Sequence, residues 1–179
     1  MISERMGIDN IDCQIMELIQ KAPNLTHTEI ATHVNRSQPT VGMRIKKLEK
    51  LGVLKYQAGI NIKVADLCFA RVELQTKNPK KAIEIVKRCP SMINALRLSG
   101  DSTLSIFMAG TNLKALDNIV NINFRNNPDV TKVHMDIIEE VVNDFVLPID
   151  LNLEDGQLDL TKQHYCCGKC TCHINYDEL

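Results

Sequence analysis

The chain has 179 residues, 44% hydrophobic and 24% charged, with no tryptophan, few aromatics and a formal net charge of −1. That is enough for one medium or two small globular domains with aliphatic cores, and the near-neutral sum excludes a strong attraction of the whole molecule to a polyanion. Charge distribution says more: residues 1–62 carry 8 Lys and Arg against 6 Asp and Glu, residues 63–179 carry 13 against 16. No apolar run reaches the roughly 20 residues that span a bilayer, and no basic-then-apolar signal opens the chain. The expectation is a cytoplasmic protein with no membrane partner.

The first helix is expected over residues 8–21, with Ile8, Ile11, Ile15 and Leu18 on its apolar face. Asp9 and Asp12 sit near its N-terminal end, where the helix dipole favours carboxylates, and Pro23 ends it. Thr26-His27-Thr28-Glu29 spells a capping box that opens a short second helix through Val34, its inner side Ile30, Ala31 and Val34. Asn35-Arg36 makes a tight turn.

A third helix follows. Ser37 is a good N-cap and Pro39 falls in the first turn, where a missing N–H costs little. Val41, Ile45 and Leu48 share one face at the 3.6-residue period, Thr40, Arg44 and Lys47 a neighbouring one, and Gly52 stops the helix. One stripe is suited to burial; the other, basic, is suited to a phosphate backbone or a base edge. Three short helices of this spacing make a trihelical helix-turn-helix unit. Residues 53–57 and 59–62 read as a small hairpin or extended wing.

Beyond a connector near residues 63–66, the segment 67–75 alternates with period two and reads as a strand. Asn78-Pro79 starts a helix carrying Ala82, Ile83 and Val86, and Pro90 closes it. Strands are expected over 92–98 and 103–109, a helix over 112–124 and a fourth strand over 130–141. The order strand, helix, strand, strand, helix, strand is the ferredoxin-like βαββαβ plan. Its two helices cover one face of the sheet, which leaves the other for a second copy of the chain. The fold class is therefore α+β, with a (winged) helix-turn-helix domain over 1–62, a ferredoxin-like domain over 63–144, and an acidic connector and Cys-rich tail over 145–179.

These residues resemble the Lrp/AsnC, or feast/famine, family of transcription regulators. The resemblance is carried by Ile8-Asp9, Asp12, Ile15-Met16, Glu29-Ile30-Ala31, Ser37, Thr40-Val41, Arg44-Ile45, Leu48-Glu49 and Gly52-Val53-Leu54, and by the turn Ser99-Gly100-Asp101 after the second strand. It covers about residues 8 to 141. It implies a homodimer that binds double-stranded DNA, with the third helix in the major groove, further assembly into tetramers or octamers, and an amino acid-like effector bound near the glycine-aspartate turn. The DNA residues expected are Gln38, Thr40, Arg44 and Lys47, with Arg36, Ser37, Lys46 and Lys55 around them. Arg and Lys suit guanine and phosphate, and Gln suits adenine; an arginine at position 44 can equally brace the helix packing. At Ser99, Gly100 and Asp101, backbone N–H groups suit a carboxylate and the Asp101 carboxylate an ammonium group. Read alone, the same dipeptide is an ordinary hairpin turn.

The tail departs from the family. His164, Cys166, Cys167, Cys170, Cys172 and His173 crowd into ten residues, and Cys167-Gly168-Lys169-Cys170 has the spacing of a metal knuckle. Soft ligands favour zinc or another thiophilic metal; a thiol switch between Cys167 and Cys170 is the other reading. Cys13, Cys68 and Cys89 are isolated at apolar positions and read as packing residues. The chain is expected to be a regulator rather than an enzyme, since no nucleotide loop, catalytic triad or acid pair appears. The alternative is a thiol-redox or metal-handling protein built on the cysteine cluster.

Overall fold

Each of the first three helices begins at a side chain that accepts a hydrogen bond from its own first turn. α1 (Asn10–Lys21) is capped by Asp9, α2 (His27–Val34) by Thr26 and α3 (Gln38–Lys50) by Ser37. The first two caps are reciprocal. Asp12 Oδ2 accepts back from the Asp9 N–H at 3.2 Å, and Glu29 Oε2 from the Thr26 N–H at 2.7 Å; each such cap stabilises its helix by about 1 kcal/mol. Asn35 takes a left-handed conformation (φ 51°), which reverses the chain in the two residues between α2 and Ser37. Ile8, Ile15 and Ile19, Ile30 and Val34, and Val41, Ile45 and Leu48 bury against one another to form the core of this unit.

The computed structural model describes residues 5–149, which divide into two compact units between Gln57 and Ala58. This border lies earlier than the expected one after residue 62, because the expected hairpin does not form. Residues 53–57 make no strand. β1 (Ile60–Asn61) pairs instead, antiparallel, with β6 (Val146–Leu147), drawn from the stretch expected to be a connector from 145 onward. A hairpin between 53–57 and 59–62 would leave a single residue for its turn, fewer than the two that such turns need. Gly59 favours the distant partner: a Cβ there would run into the Leu147 carbonyl. The Ile62 N–H donates to the Phe145 carbonyl at 2.9 Å, and Asn61 Nδ2 to Asp144 Oδ1 at 3.0 Å.

The second unit continues through β2 (Cys68–Thr76), α4 (Pro79–Arg88), β3 (Met92–Arg97), β4 (Leu104–Gly110), α5 (Leu113–Val120) with a π-helical turn (Asn121–Arg125), and β5 (Val130–Ile137). The four-stranded sheet has the order β3-β4-β2-β5, every neighbour antiparallel, as the ferredoxin-like plan requires. Val72, Leu74, Ile106 and Met108 turn one face of it against Ala82 and Val86 of α4 and Leu116 and Val120 of α5. The second helix does not stay α-helical to residue 124. It widens into the π turn, with Phe124 fully buried and Asn123 Nδ2 donating to the Ile119 carbonyl at 2.8 Å. The fourth strand ends at Ile137 rather than at 141.

Among the described residues of this unit, no helix packs on the opposite face. There Phe69 stacks near Phe107, ring centroids 6.1 Å apart, and Phe107 lies as close to Phe145. Arg71 donates to Asp136 Oδ2 at 2.8 Å, and His134 Nε2 lies 2.9 Å from Asp136 Oδ1. Leu96, paired with Ser105 across β3 and β4, stays 63% exposed.

Gly59→Val should separate β1 from β6. Amide hydrogen exchange on the full chain should then show Ile62 losing protection while Val72 and Ile106, deep in the four-stranded sheet, keep theirs.

Candidate nucleic-acid interface

Helix α3 has three sides with different employment. Val41, Ile45 and Leu48 face inward and are at most 4% exposed. Half a turn away, Pro39, Met43, Lys46 and Lys50 face solvent. The flank between carries Thr40, Arg44 and Lys47, and the fold has already claimed it.

Arg44 Nη1 donates to Asp9 Oδ1 at 2.9 Å, to Asp9 Oδ2 at 2.7 Å and to Asp12 Oδ1 at 2.7 Å. Lys47 Nζ donates to Asp12 Oδ2 at 2.9 Å. The Asp12 side chain has no exposure at all. Burial alone opposes its ionisation, yet the hydrogen bonds from Lys47, Arg44 and the Asp9 N–H outweigh that and hold its carboxyl below the ordinary carboxylate range. Asp9 is held low as well, first by the Asp12 N–H and then by Arg44. Thr40 Oγ1 lies 2.8 Å from Ser37 Oγ, within the helix cap.

Of the stripe expected to face DNA, Arg44 and Lys47 bind these carboxylates, while Thr40 bonds only the Ser37 cap. The two carboxylates that cap α1 lie against this flank of α3, and a buried Asp12 needs cations. Lys47 keeps partial exposure, 46% of its side chain, and Arg44 26%. Gln38, Lys46, Arg36, Ser37 and Lys55 are exposed, and Arg36 Nη1 donates to the Asn35 carbonyl at 2.7 Å. Met43 and Lys50 complete the outward face. Helical spacing from Val41 and Ile45 was the signal that could have found them; the acid partners of Arg44 and Lys47 had no such signal, because helix packing brings them together.

Ser99, Gly100 and Asp101 lie in the exposed bend between β3 and β4. The Leu98 N–H donates to the Thr103 carbonyl at 2.9 Å, and Ser102 Oγ to Glu73 Oε2 at 3.0 Å, which ties the bend to β2. Gly100 has open space around it and no left-handed φ, so backbone geometry does not demand glycine there. His164, Cys166, Cys167, Cys170, Cys172 and His173 lie outside the described residues. Among the described residues no group of three or more His, Cys, Asp or Glu could hold a metal ion. Cys89 is buried, and Cys13 and Cys68 are half-buried.

A capped trihelical unit with an exposed, cation-bearing third helix defines a helix-turn-helix DNA-binding protein, and residues 8–55 match the winged helix-turn-helix DNA-binding family. A helix-turn-helix transcriptional regulator of Pyrococcus abyssi is 31% identical over 107 residues, 56% of this chain and 69% of that protein. The regulator LrpC of Bacillus subtilis is 22% identical over 120 residues, 65% of this chain and 83% of that one. The fold matches E. coli AsnC with a TM-score of 0.64 at 17% identity, over 78% of this chain and 97% of that one. It also matches a transcriptional regulator of Neisseria meningitidis, solved as its L-Met complex, with a TM-score of 0.65 at 22% identity, over 79% and 96% of the two chains. The chain belongs to the Lrp/AsnC family of helix-turn-helix transcription regulators. Its relatives are transcriptional regulators. Among the described residues no helix is long and apolar enough to cross a membrane.

Arg44→Ala leaves a buried carboxylate short of a partner and should destabilise the N-terminal unit by about 1–3 kcal/mol. Hydrogen exchange at α1 and α3 amides reads this on the full chain. Because Asp9 and Asp12 titrate below their unfolded values, the network's contribution is complete above about pH 4 and is lost as pH falls through the depressed pKa values. Asp12→Asn should flatten that acid dependence.

Proposed function

We propose that two copies of this chain present α3 to duplex DNA, with Gln38, Lys46 and Lys50 toward the groove and Arg36, Ser37 and Lys55 toward the phosphates. The observation that carries this reading is the division of labour on α3. One side is buried in the core, the next is braced by Asp9 and Asp12, and the third is exposed, with Lys46 and Lys50 in no ion pair among the described residues. A helix held on two sides keeps its outer face in one orientation, which is what reading a groove requires. On the sheet face away from α4 and α5, Phe69 is buried under the chain's own β1 and β6, but Leu96 stays exposed among charged residues, and this open part supports pairing with a second copy, with larger assemblies built on that pair.

Affinity for DNA is set by a small effector, by metal or redox state at the tail, or by both. The L-Met complex of the Neisseria regulator supports an amino acid-like effector, with Ser99, Gly100 and Asp101 as its site on this chain. The ligand set His164, Cys166, Cys167, Cys170, Cys172 and His173 supports zinc or another thiophilic metal. The relatives favour regulation over thiol-redox or metal-handling chemistry as the primary role. The protein acts in the cytoplasm.

Selection of duplexes from random DNA with the full chain supplies the probe. On the selected duplex, the slope of log affinity against log salt should lessen by about 1 for Lys46→Ala and for Lys50→Ala, and should stay put for Lys114→Ala. Lys114 is exposed in the second unit and serves as the control. Unchanged slopes for both α3 variants would remove this face from the interface. On the same duplex, free amino acids should shift the affinity of the parent chain and not of Asp101→Ala. Zinc should shift it in the full chain and not in a chain ending at residue 163.

A further inference from the structure

We infer that Met43 is a specificity residue that reads the 5-methyl group of a thymine in the operator; this rests on the reading of α3 given above. Met43 is 66% exposed. A lone exposed apolar side chain is ordinary on a protein surface, but the position of this one is not. It stands half a turn from Val41 and Ile45, which are 0% and 4% exposed, at the middle of the outward face. Pro39 lies one turn before it, and Lys46 and Lys50 one and two turns after it. No core cluster among the described residues includes it.

The chemistry narrows what it can touch. A thioether has no hydrogen to donate and is only a weak acceptor. It therefore cannot reproduce the hydrogen-bond patterns that distinguish guanine, cytosine and adenine edges. The thymine methyl is the one apolar group on a base edge in the major groove. An unbranched, polarisable side chain reaches and adapts to such a group. Lys46 and Lys50 on the same face supply phosphate attraction, which positions the helix without choosing a sequence. Met43 thus adds discrimination where its neighbours add affinity.

The test uses the duplex selected with the full parent chain. Each dT is replaced singly by deoxyuridine, which removes the methyl and leaves the hydrogen-bonding edge intact. The parent should lose roughly fourfold in affinity at one position per half-site, the weight of one buried methyl. Met43→Ala should bind the unmodified duplex more weakly by a similar factor and lose nothing more at that position. Its salt slope should match the parent's, unlike that of Lys46→Ala. Met43→Leu should retain most of the preference. A parent indifferent to every deoxyuridine, or a loss that persists undiminished in Met43→Ala, overturns the assignment while leaving DNA binding by α3 intact. A parent that enriches no duplex at all overturns both.

Discussion

The buried carboxylate of Asp12 is the constraint on which the N-terminal unit turns. An ionised acid without solvent access is stable only beside cations and hydrogen-bond donors, and here they come from Arg44, Lys47 and the Asp9 N–H. The same Asp9 caps α1 through the Asp12 N–H at 2.9 Å. One cluster therefore starts a helix and also fixes how the next-but-one helix lies against it. Burial of Val41, Ile45 and Leu48 holds α3 in the core, but an aliphatic contact resists rotation about the helix axis weakly. Directional charge-assisted bonds on the flank supply that resistance. The exposed side of α3 is set by elimination: it is what the core and the carboxylates leave over.

Much of this was legible in the amino-acid order. The caps at Thr26 and Ser37, the three-residue faces of the helices and the strand alternation of 67–75 are local patterns, and local patterns survive folding. What could not be read was non-local. Arg44 sits at a helical angle that the sequence states plainly, but which neighbour occupies that angle depends on the packing of α1. The hairpin alternative for residues 53–62 failed for the same reason. Ile60 and Asn61 find their partners at Leu147 and Val146, far along the chain, and Gly59 is a clue to close approach without naming what approaches. At the turn of Ser99, Gly100 and Asp101 the residues are where the pattern put them, yet the glycine is not needed for the backbone. Its small size leaves open space instead.

The second unit shows how a sheet with two helices divides its faces. The side under α4 and α5 is wholly aliphatic with Phe124 beneath it. The other side is mixed: aromatic rings at one end, and Arg71, Glu73, His134 and Asp136 in an ion cluster at the other. A purely apolar open face would invite indiscriminate association. Charges beside the rings restrict a partner to one that matches both, and a second copy related by a two-fold axis offers the same residues in reverse order.

The charge balance of the chain becomes intelligible once the bracing network is subtracted. Two of the cations on α3 are neutralised by Asp9 and Asp12, so few remain to release counterions from a duplex. Salt-dependent, sequence-independent attraction scales with that small number. On the proposed reading, discrimination comes from the base edges, through Gln38 and Met43, and from joining two copies of the chain. Linkage turns the second encounter into an intramolecular one and multiplies the preference of each head. A more basic helix would bind every sequence better and tell them apart less well. Spending Arg44 and Lys47 on Asp12 trades general affinity for a fixed reading face.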